Sequence, residues 1–151
     1  MNKPLILVVE DDAPIRNLIT TTLKTQDYKY IAVATASEAL QQATIHAPDV
    51  MLLDLGLPDL DGIEVIRRIR SWSAMPIIVI SARSEDSDKI EALDSGADDY
   101  LTKPFSVEEL LARLRVTFRR ILMLQNAAGS SVFTNGDLQI DFAAGCATLK
   151  G

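Results

Sequence analysis

The sequence predicts an α/β fold, a doubly wound (βα)5 chain with a parallel five-stranded sheet. Two observations carry this. Short apolar runs alternate five times with segments whose apolar residues recur at helical spacing, which is how parallel strands joined by right-handed helical crossovers are written. Four of those runs also stop at a polar or charged group. Leu5 to Val9 ends in Glu10-Asp11-Asp12, Val50 to Leu53 in Asp54, Ile77 to Ile80 in Ser81, and Tyr100 to Thr102 in Lys103. Open α/β sheets place their ligand sites outside the carboxyl ends of the strands, so these groups are read as one constellation.

Each element has its own signal. Residues 5–10 form the first strand, and Pro14 suits the first turn of a helix carried by Ile15, Leu18, Ile19, Thr22 and Leu23. Tyr30 to Ala34 is the second strand. Ser37, Ala39, Leu40 and Ala43 form a small-residue helix that ends before Pro48. Val50 to Leu53, bounded downstream by Gly56 and Pro58, is a strand buried on both faces. Gly62 to about Ser73 is a helix with Ile63, Ile66 and Ile69 inward and Arg67, Arg68 and Arg70 in water. Pro76 precedes the fourth strand. Ser84 to Ser95 is a polar helix closed by Gly96. Ser106 and Glu109 form a capping box for a last helix with the stripe Val107, Leu110, Leu111, Leu114, Phe118 and Ile121. Trp72 and Phe118 are expected to pack.

The chain of 151 residues suits one well-buried domain. Apolar content of 48% and charged content of 24% are those of an ordinary globular protein, and a net charge of −6 argues against non-specific binding to phosphate backbones. The lone Cys146 excludes an intrachain disulfide framework. No signal-like start or membrane-length apolar run is present, so the expected location is the cytoplasm, away from membranes. Residues 1–124 form the predicted domain, and 125–131, small and polar, read as a linker. In 132–151 a strand pattern at 136–142 and a second at 147–149 form a tail too short to bury a core.

Glu10, Asp11 and Asp54 would repel one another, and a divalent cation neutralises such a cluster. All-oxygen donors suit Mg²⁺ or Mn²⁺ better than Zn²⁺. Lys103 beside a metal-bound carboxylate can pair with a phosphoryl oxygen as a point charge, and Ser81 can donate a hydrogen bond to a new anion. Pro104 invites a cis bond that aims Lys103 inward. Each residue alone is as easily a solvated loop residue; the combination gives the reading its weight. His46, the only histidine, supports no triad and suits a helix end. The acidic turn after the first strand would repel a nucleotide or flavin phosphate. A small Mg²⁺-dependent phosphohydrolase with Asp54 as nucleophile is the alternative, although its general acid, expected two positions on, is here Gly56.

Glu10-Asp11, Asp54, Ser81 and Lys103-Pro104, with Gly56-Leu57-Pro58-Asp59-Leu60-Asp61-Gly62 and Gly96-Ala97-Asp98-Asp99-Tyr100 between them, resemble the receiver domain of two-component response regulators over about residues 4–123. The stretch from Asp54 to Phe105 is similar to the potassium-responsive members of the OmpR/PhoB subfamily. Residues 132–151 resemble the strands that open that subfamily's winged-helix domain, without its recognition helix. Contact with DNA is thus expected only through the remainder of a full-length protein. The resemblance implies a flavodoxin-like, CheY-like fold and transfer of a phosphoryl group to Asp54 from a sensor histidine kinase. It implies Mg²⁺ held by Glu10, Asp11, Asp54 and the backbone carbonyl of Gly56, with Lys103 neutralising a further oxygen and Ser81 and Tyr100 acting as a switch pair. Phosphorylation would drive a homodimer through the fourth helix, fifth strand and fifth helix. There Lys89 would pair with Glu109, Asp98 with Arg120 and Asp99 with Arg113, around Ile90, Leu93 and Leu111 or Ala112. Such a protein is a switch rather than an enzyme. Gly56 and Ala82 offer no side chain to orient water, so self-dephosphorylation is expected to be slow.

Overall fold

The computed structural model describes residues 3–130, with side chains through residue 124. Strands and helices alternate: β1 (Leu5–Val9), α1 (Ala13–Thr25), β2 (Lys29–Val33), α2 (Ala36–His46), β3 (Val50–Leu53), α3 (Gly62–Arg70), β4 (Ile77–Ser81), α4 (Asp86–Ser95), β5 (Asp99–Thr102) and α5 (Val107–Ser130). All strand pairs are parallel, in the order β2-β1-β3-β4-β5. The order reverses between β1 and β3, the switch point outside which open α/β sheets bind their ligands.

Successive side chains of a strand point to opposite faces, and here both faces are covered. Leu7, Val9, Met51, Leu53, Ile77 and Val79 join Ala39, Ala43, Ile63, Ile66, Ile69 and Ala92 of α2, α3 and α4 in one core. The alternating residues Ile6, Val8, Leu52, Ile78 and Ile80 are buried on the other face, as are Ile19 and Leu23 of α1. The central strands are therefore continuously apolar.

The helix starts are chemically specified. Asp12 Oδ2 accepts from Ile15 N at 3.1 Å, with a proline in the first turn of α1. Thr35 accepts from Glu38 N at 3.2 Å, and Glu38 reaches back to Ala34 N at 3.3 Å. Asp61 Oδ1 accepts from Ile63 N at 2.9 Å. Ser106 accepts from Glu109 N at 3.0 Å, one half of the expected capping box. Gly96 ends α4 at φ +122°, the left-handed region that favours glycine. Gly62 is needed for another reason: a Cβ there would lie 2.6 Å from Leu55 Cα.

Of the expected linker at 125–131, residues 125–130 continue α5, which runs to Ser130, and residue 131 lies outside the described residues. Gln125, Ala127 and Ala128 favour helix, and Gly129 opposes it by only about 1 kcal/mol. The strands expected within 132–151 lie outside the described residues. The chain divides into two compact units, Met1–Leu110 and Leu111–Gly151. The first holds the sheet, α1 to α4 and the first turn of α5. In the second, Leu114 is buried and Phe118 and Ile121 are partly buried, whereas Val116, Leu122, Met123 and Leu124 are exposed.

Trp72, expected to pack, is 52% exposed. The backbone leaves α3 after Arg70, which turns position 72 outward, and Met75 is buried against the core instead. His46 is the exposed last residue of α2. Among the described residues no helix is long and apolar enough to cross a membrane.

Candidate functional site

Adjacent parallel strands in matched register deliver their next residues side by side. Val9 is level with Leu53, so Glu10 and Asp54 leave the sheet together. Their backbones are tied down by Glu10 N to the Val33 carbonyl at 3.0 Å and Asp54 N to the Val9 carbonyl at 2.9 Å. Asp11 follows on the exposed side. One carboxylate oxygen from each of Glu10, Asp11 and Asp54 lies within 4.8 Å of the other two. Lys103 closes the inner side: its Nζ is 2.8 Å from Glu10 Oε1 and 3.6 Å from Asp54 Oδ2. Its own N–H donates to the Ser81 carbonyl at 2.9 Å, and the Lys103–Pro104 bond is cis, as expected.

Three carboxylates against one ammonium leave an excess of negative charge. Glu10, 2% exposed, shows the strain. Burial, with Asp54 adding and Lys103 opposing, pushes its carboxyl from the usual 4.5 up to about 7. Burial alone would lower the Lys103 ammonium, but Glu10 and Asp54 outweigh it and raise it further. Lys103, 2.8 Å from Glu10 Oε1, balances only one of the three carboxylates. A cluster of hard oxygen ligands with charge left over fits a divalent cation such as Mg²⁺. Glu10, Asp11 and Asp54 would hold it.

Ser81, at the end of β4, is buried, and its Oγ accepts from Arg83 N at 3.1 Å. The Tyr100 hydroxyl donates to the Arg83 carbonyl at 2.6 Å. Burial raises the Tyr100 phenol above its usual range, against the opposing pull of a hydrogen bond with Ser81. The expected switch pair is thus joined through one loop. Gly56 lies on the exposed side of the site, and its N–H donates to Asp54 Oδ1 at 3.3 Å.

The residues expected at a dimer face sit differently from one another. Ile90 and Leu93 are exposed on α4, Lys89 is partly buried, and Glu109, Arg113 and Arg120 are exposed on α5. Asp99 Oδ1 accepts from Tyr100 N. Asp98 is engaged within its own chain: Oδ2 accepts from Arg70 Nη2 at 2.9 Å and from Ile77 N at 2.8 Å. Its position just before β5 puts it within reach of the arginine that ends α3, so its expected pairing with Arg120 of a second copy competes with a bond of the fold.

Three contributors went unnoticed in the sequence. Arg16 donates to the Glu10 carbonyl at 2.9 Å and so braces the acidic turn. Arg83 reaches both Asp61 oxygens at 3.4 Å, linking the loops after β3 and β4. Asp59 takes two N–H groups at the start of α2. The sequence there carries Thr35-x-x-Glu38, a capping-box pattern that could have marked the helix start; nothing local to Arg16, Arg83 or Asp59 names their partners.

Residues 6–115 match the model of the "Response regulator receiver domain". The chain is 49% identical over 139 residues to the KDP operon transcriptional regulatory protein KdpE of Escherichia coli K12, covering 92% of this chain and 61% of that protein. It is 48% identical over 139 residues to the transcriptional regulatory protein KdpE of Staphylococcus aureus, covering 92% and 59%. It therefore spans about three fifths of the length of these relatives. The receiver domain of the Francisella response regulator 1452 superposes with a TM-score of 0.76 at 36% identity, over 79% of this chain and 99% of that one. The BeF3-activated receiver domain of Klebsiella pneumoniae RstA does so with a TM-score of 0.74 at 33% identity, over 76% and 98%. By fold, acidic site and sequence alike, this chain belongs to the response regulator receiver domain family and is similar throughout that region to the KdpE regulators.

Proposed function

We propose that the chain is a phosphorylation-controlled switch whose Asp54 accepts a phosphoryl group from the phosphohistidine of a sensor histidine kinase. One observation carries this reading: a single carboxylate at the carboxyl end of β3 is grouped with two acidic side chains and one partly buried lysine. An Asp54 oxygen attacks phosphorus, the P–N bond breaks, and the imidazole nitrogen keeps the electron pair. Mg²⁺ held by Glu10, Asp11, Asp54 and the Gly56 carbonyl would supply positive charge to the phosphoryl oxygens. Lys103, already directed at Asp54, neutralises another oxygen as charge develops there. Ser81 turns its hydroxyl to the new anion, and Tyr100, held on the Arg83 carbonyl, registers that shift.

The resulting change at α4, β5 and α5 favours a homodimer, with the exposed Ile90 and Leu93 in the contact. In a full-length protein this would control transcription, in keeping with the names of the KdpE relatives, and the regulated process proposed for it is potassium uptake. DNA would be bound by a domain beyond the receiver. Activation of a related receiver by BeF3, a tetrahedral phosphoryl mimic, supports the same chemistry. The phosphohydrolase alternative has no comparable support: its acid would stand at Gly56, where a Cβ would meet nothing within 4 Å. The chain is not a turnover enzyme on this reading, and an acyl phosphate lifetime of many minutes or longer is expected, because no side chain at 56 or 82 positions water.

Intact mass after mixing with acetyl phosphate and Mg²⁺ tests it. One persistent phosphoryl increment is expected in the wild type and none in Asp54→Asn or without metal. Steady phosphate release without an increment would favour the hydrolase, and a label lost within seconds would sink the slow-decay expectation.

A further inference from the structure

Residues 54–62 carry the chain from the acceptor carboxylate to α3, and this loop is fixed at three places. At its neck, Gly62 N donates to the Leu55 carbonyl at 2.9 Å, and the packing of Gly62 on Leu55 leaves no room for a Cβ. At its exit, Asp61 caps α3. At its tip, Asp59 grips a different element, its Oδ1 accepting from Ala36 N at 2.8 Å and its Oδ2 from Ser37 N at 2.9 Å. Charge-assisted bonds to a helix N-terminus are among the stronger polar contacts. These two hold the Asp59 carboxyl below its usual range. The start of α2 has a cap of its own in Thr35 and Glu38, so the Asp59 bonds also act on the loop.

Between neck and tip lie Gly56, Leu57 and Pro58. Glycine has the greatest backbone freedom of any residue, and a Cβ at Gly56 would meet nothing within 4 Å. No wall holds this residue in place. Its N–H bond to Asp54 Oδ1 is long, at 3.3 Å. The conformation of Gly56 is therefore set by the anchors on either side of it. Leu57 and Leu60, partly buried against the core, keep the loop folded down without fixing its polar groups.

We propose that Asp59 is a positioning residue of the cation and phosphoryl-acceptor site: by clamping the loop tip to α2, it holds Gly56, and through it the Asp54 carboxylate, in working orientation. This deepens the receiver reading and rests on it. The carboxylate touches neither the cation nor the phosphoryl group. It fixes the loop tip, the anchor that ties residues 56–58 to α2.

The test uses the full chain as wild type, Asp59→Ala, Asp59→Asn and Thr35→Ala. Mn²⁺ affinity is read from the paramagnetic resonance signal of unbound Mn²⁺, with no phosphodonor present. Labelling by acetyl phosphate is followed by intact mass at saturating metal, and a thermal melt is taken for each variant. Asp59→Ala is expected to weaken Mn²⁺ binding about tenfold, as loss of an outer-shell contact does, and to slow labelling. Asp59→Asn, whose amide oxygen still accepts one N–H, restores most of both. Thr35→Ala loosens the same helix end and lowers the melting temperature, yet leaves Mn²⁺ affinity unchanged. The proposal is overturned if Asp59→Ala binds Mn²⁺ as the wild type does, if Thr35→Ala weakens binding equally, or if the wild type binds no Mn²⁺. A wild type that binds Mn²⁺ but takes no label would end the receiver reading, while the Mn²⁺ arm would still decide the role of Asp59.

Discussion

Glu10, Asp54 and Lys103 share a space too dry for their charges, and the compromise falls on Glu10. Its folded pKa of about 7 exceeds the ordinary 4.5, so between those values the folded chain holds more protons than the unfolded one. The stability from protonated Glu10 is complete below about pH 4.5 and is lost as pH rises through about 7. Metal-free protein should therefore lose melting temperature between about pH 5 and about pH 8 relative to Glu10→Gln, and saturating Mg²⁺ should remove the difference. Parallel melting curves for the two proteins without metal would contradict this. The acidic identity of this site was legible in the sequence, because each carboxylate directly follows an apolar strand. That Glu10 takes up the strain was not, since it depends on how deep the group lies.

The end of α3 organises the opposite edge of the sheet. Arg70 donates from Nε to the Gly96 carbonyl at 2.9 Å, from Nη1 to the Ser73 and Met75 carbonyls, and from Nη2 to Asp98. One guanidinium thus joins α3, the turn before β4, the end of α4 and the entry to β5. In the sequence Arg70 belongs to a run of three arginines on a helix, and a solvated role is the natural expectation; only the fold brings its four acceptors together. Gly96 faces it closely, and a Cβ there would lie 2.6 Å from Arg70 Cγ, at a φ that side chains rarely adopt. Gly96→Ala should cost roughly 1–3 kcal/mol in urea unfolding, by backbone strain together with displacement of Arg70. An unchanged midpoint would show that both positions yield without cost.

At the scale of the whole molecule, the proposed output is association of two copies. An isologous interface needs a self-complementary surface, and α4 offers exposed Ile90 and Leu93 with mixed charges around them. Asp98, Asp99 and Arg113 are each engaged within the chain, and the proposed pairing of Asp99 with Arg113 between copies exchanges such contacts. Arg113→Glu places like charges together in both copies and should raise the dimer dissociation constant of the phosphorylated chain at least about tenfold. Sedimentation velocity after phosphorylation reads this directly, and unchanged dimerisation would remove Arg113 from the interface.

The sequence by itself determined the parallel α/β fold, the capped start of the last helix and the acidic, hydroxyl and lysine groups at the strand ends. Those features are local: strand burial shows as apolar runs, and the site residues stand where the runs end. Tertiary structure decided what depends on partners distant in the chain. It joined Asp59 to α2, Arg83 to Asp61 and Asp98 to Arg70. A carboxylate or guanidinium is written identically whether it meets water or a distant backbone N–H or carbonyl. Only the packing of helices on the sheet distinguishes the two.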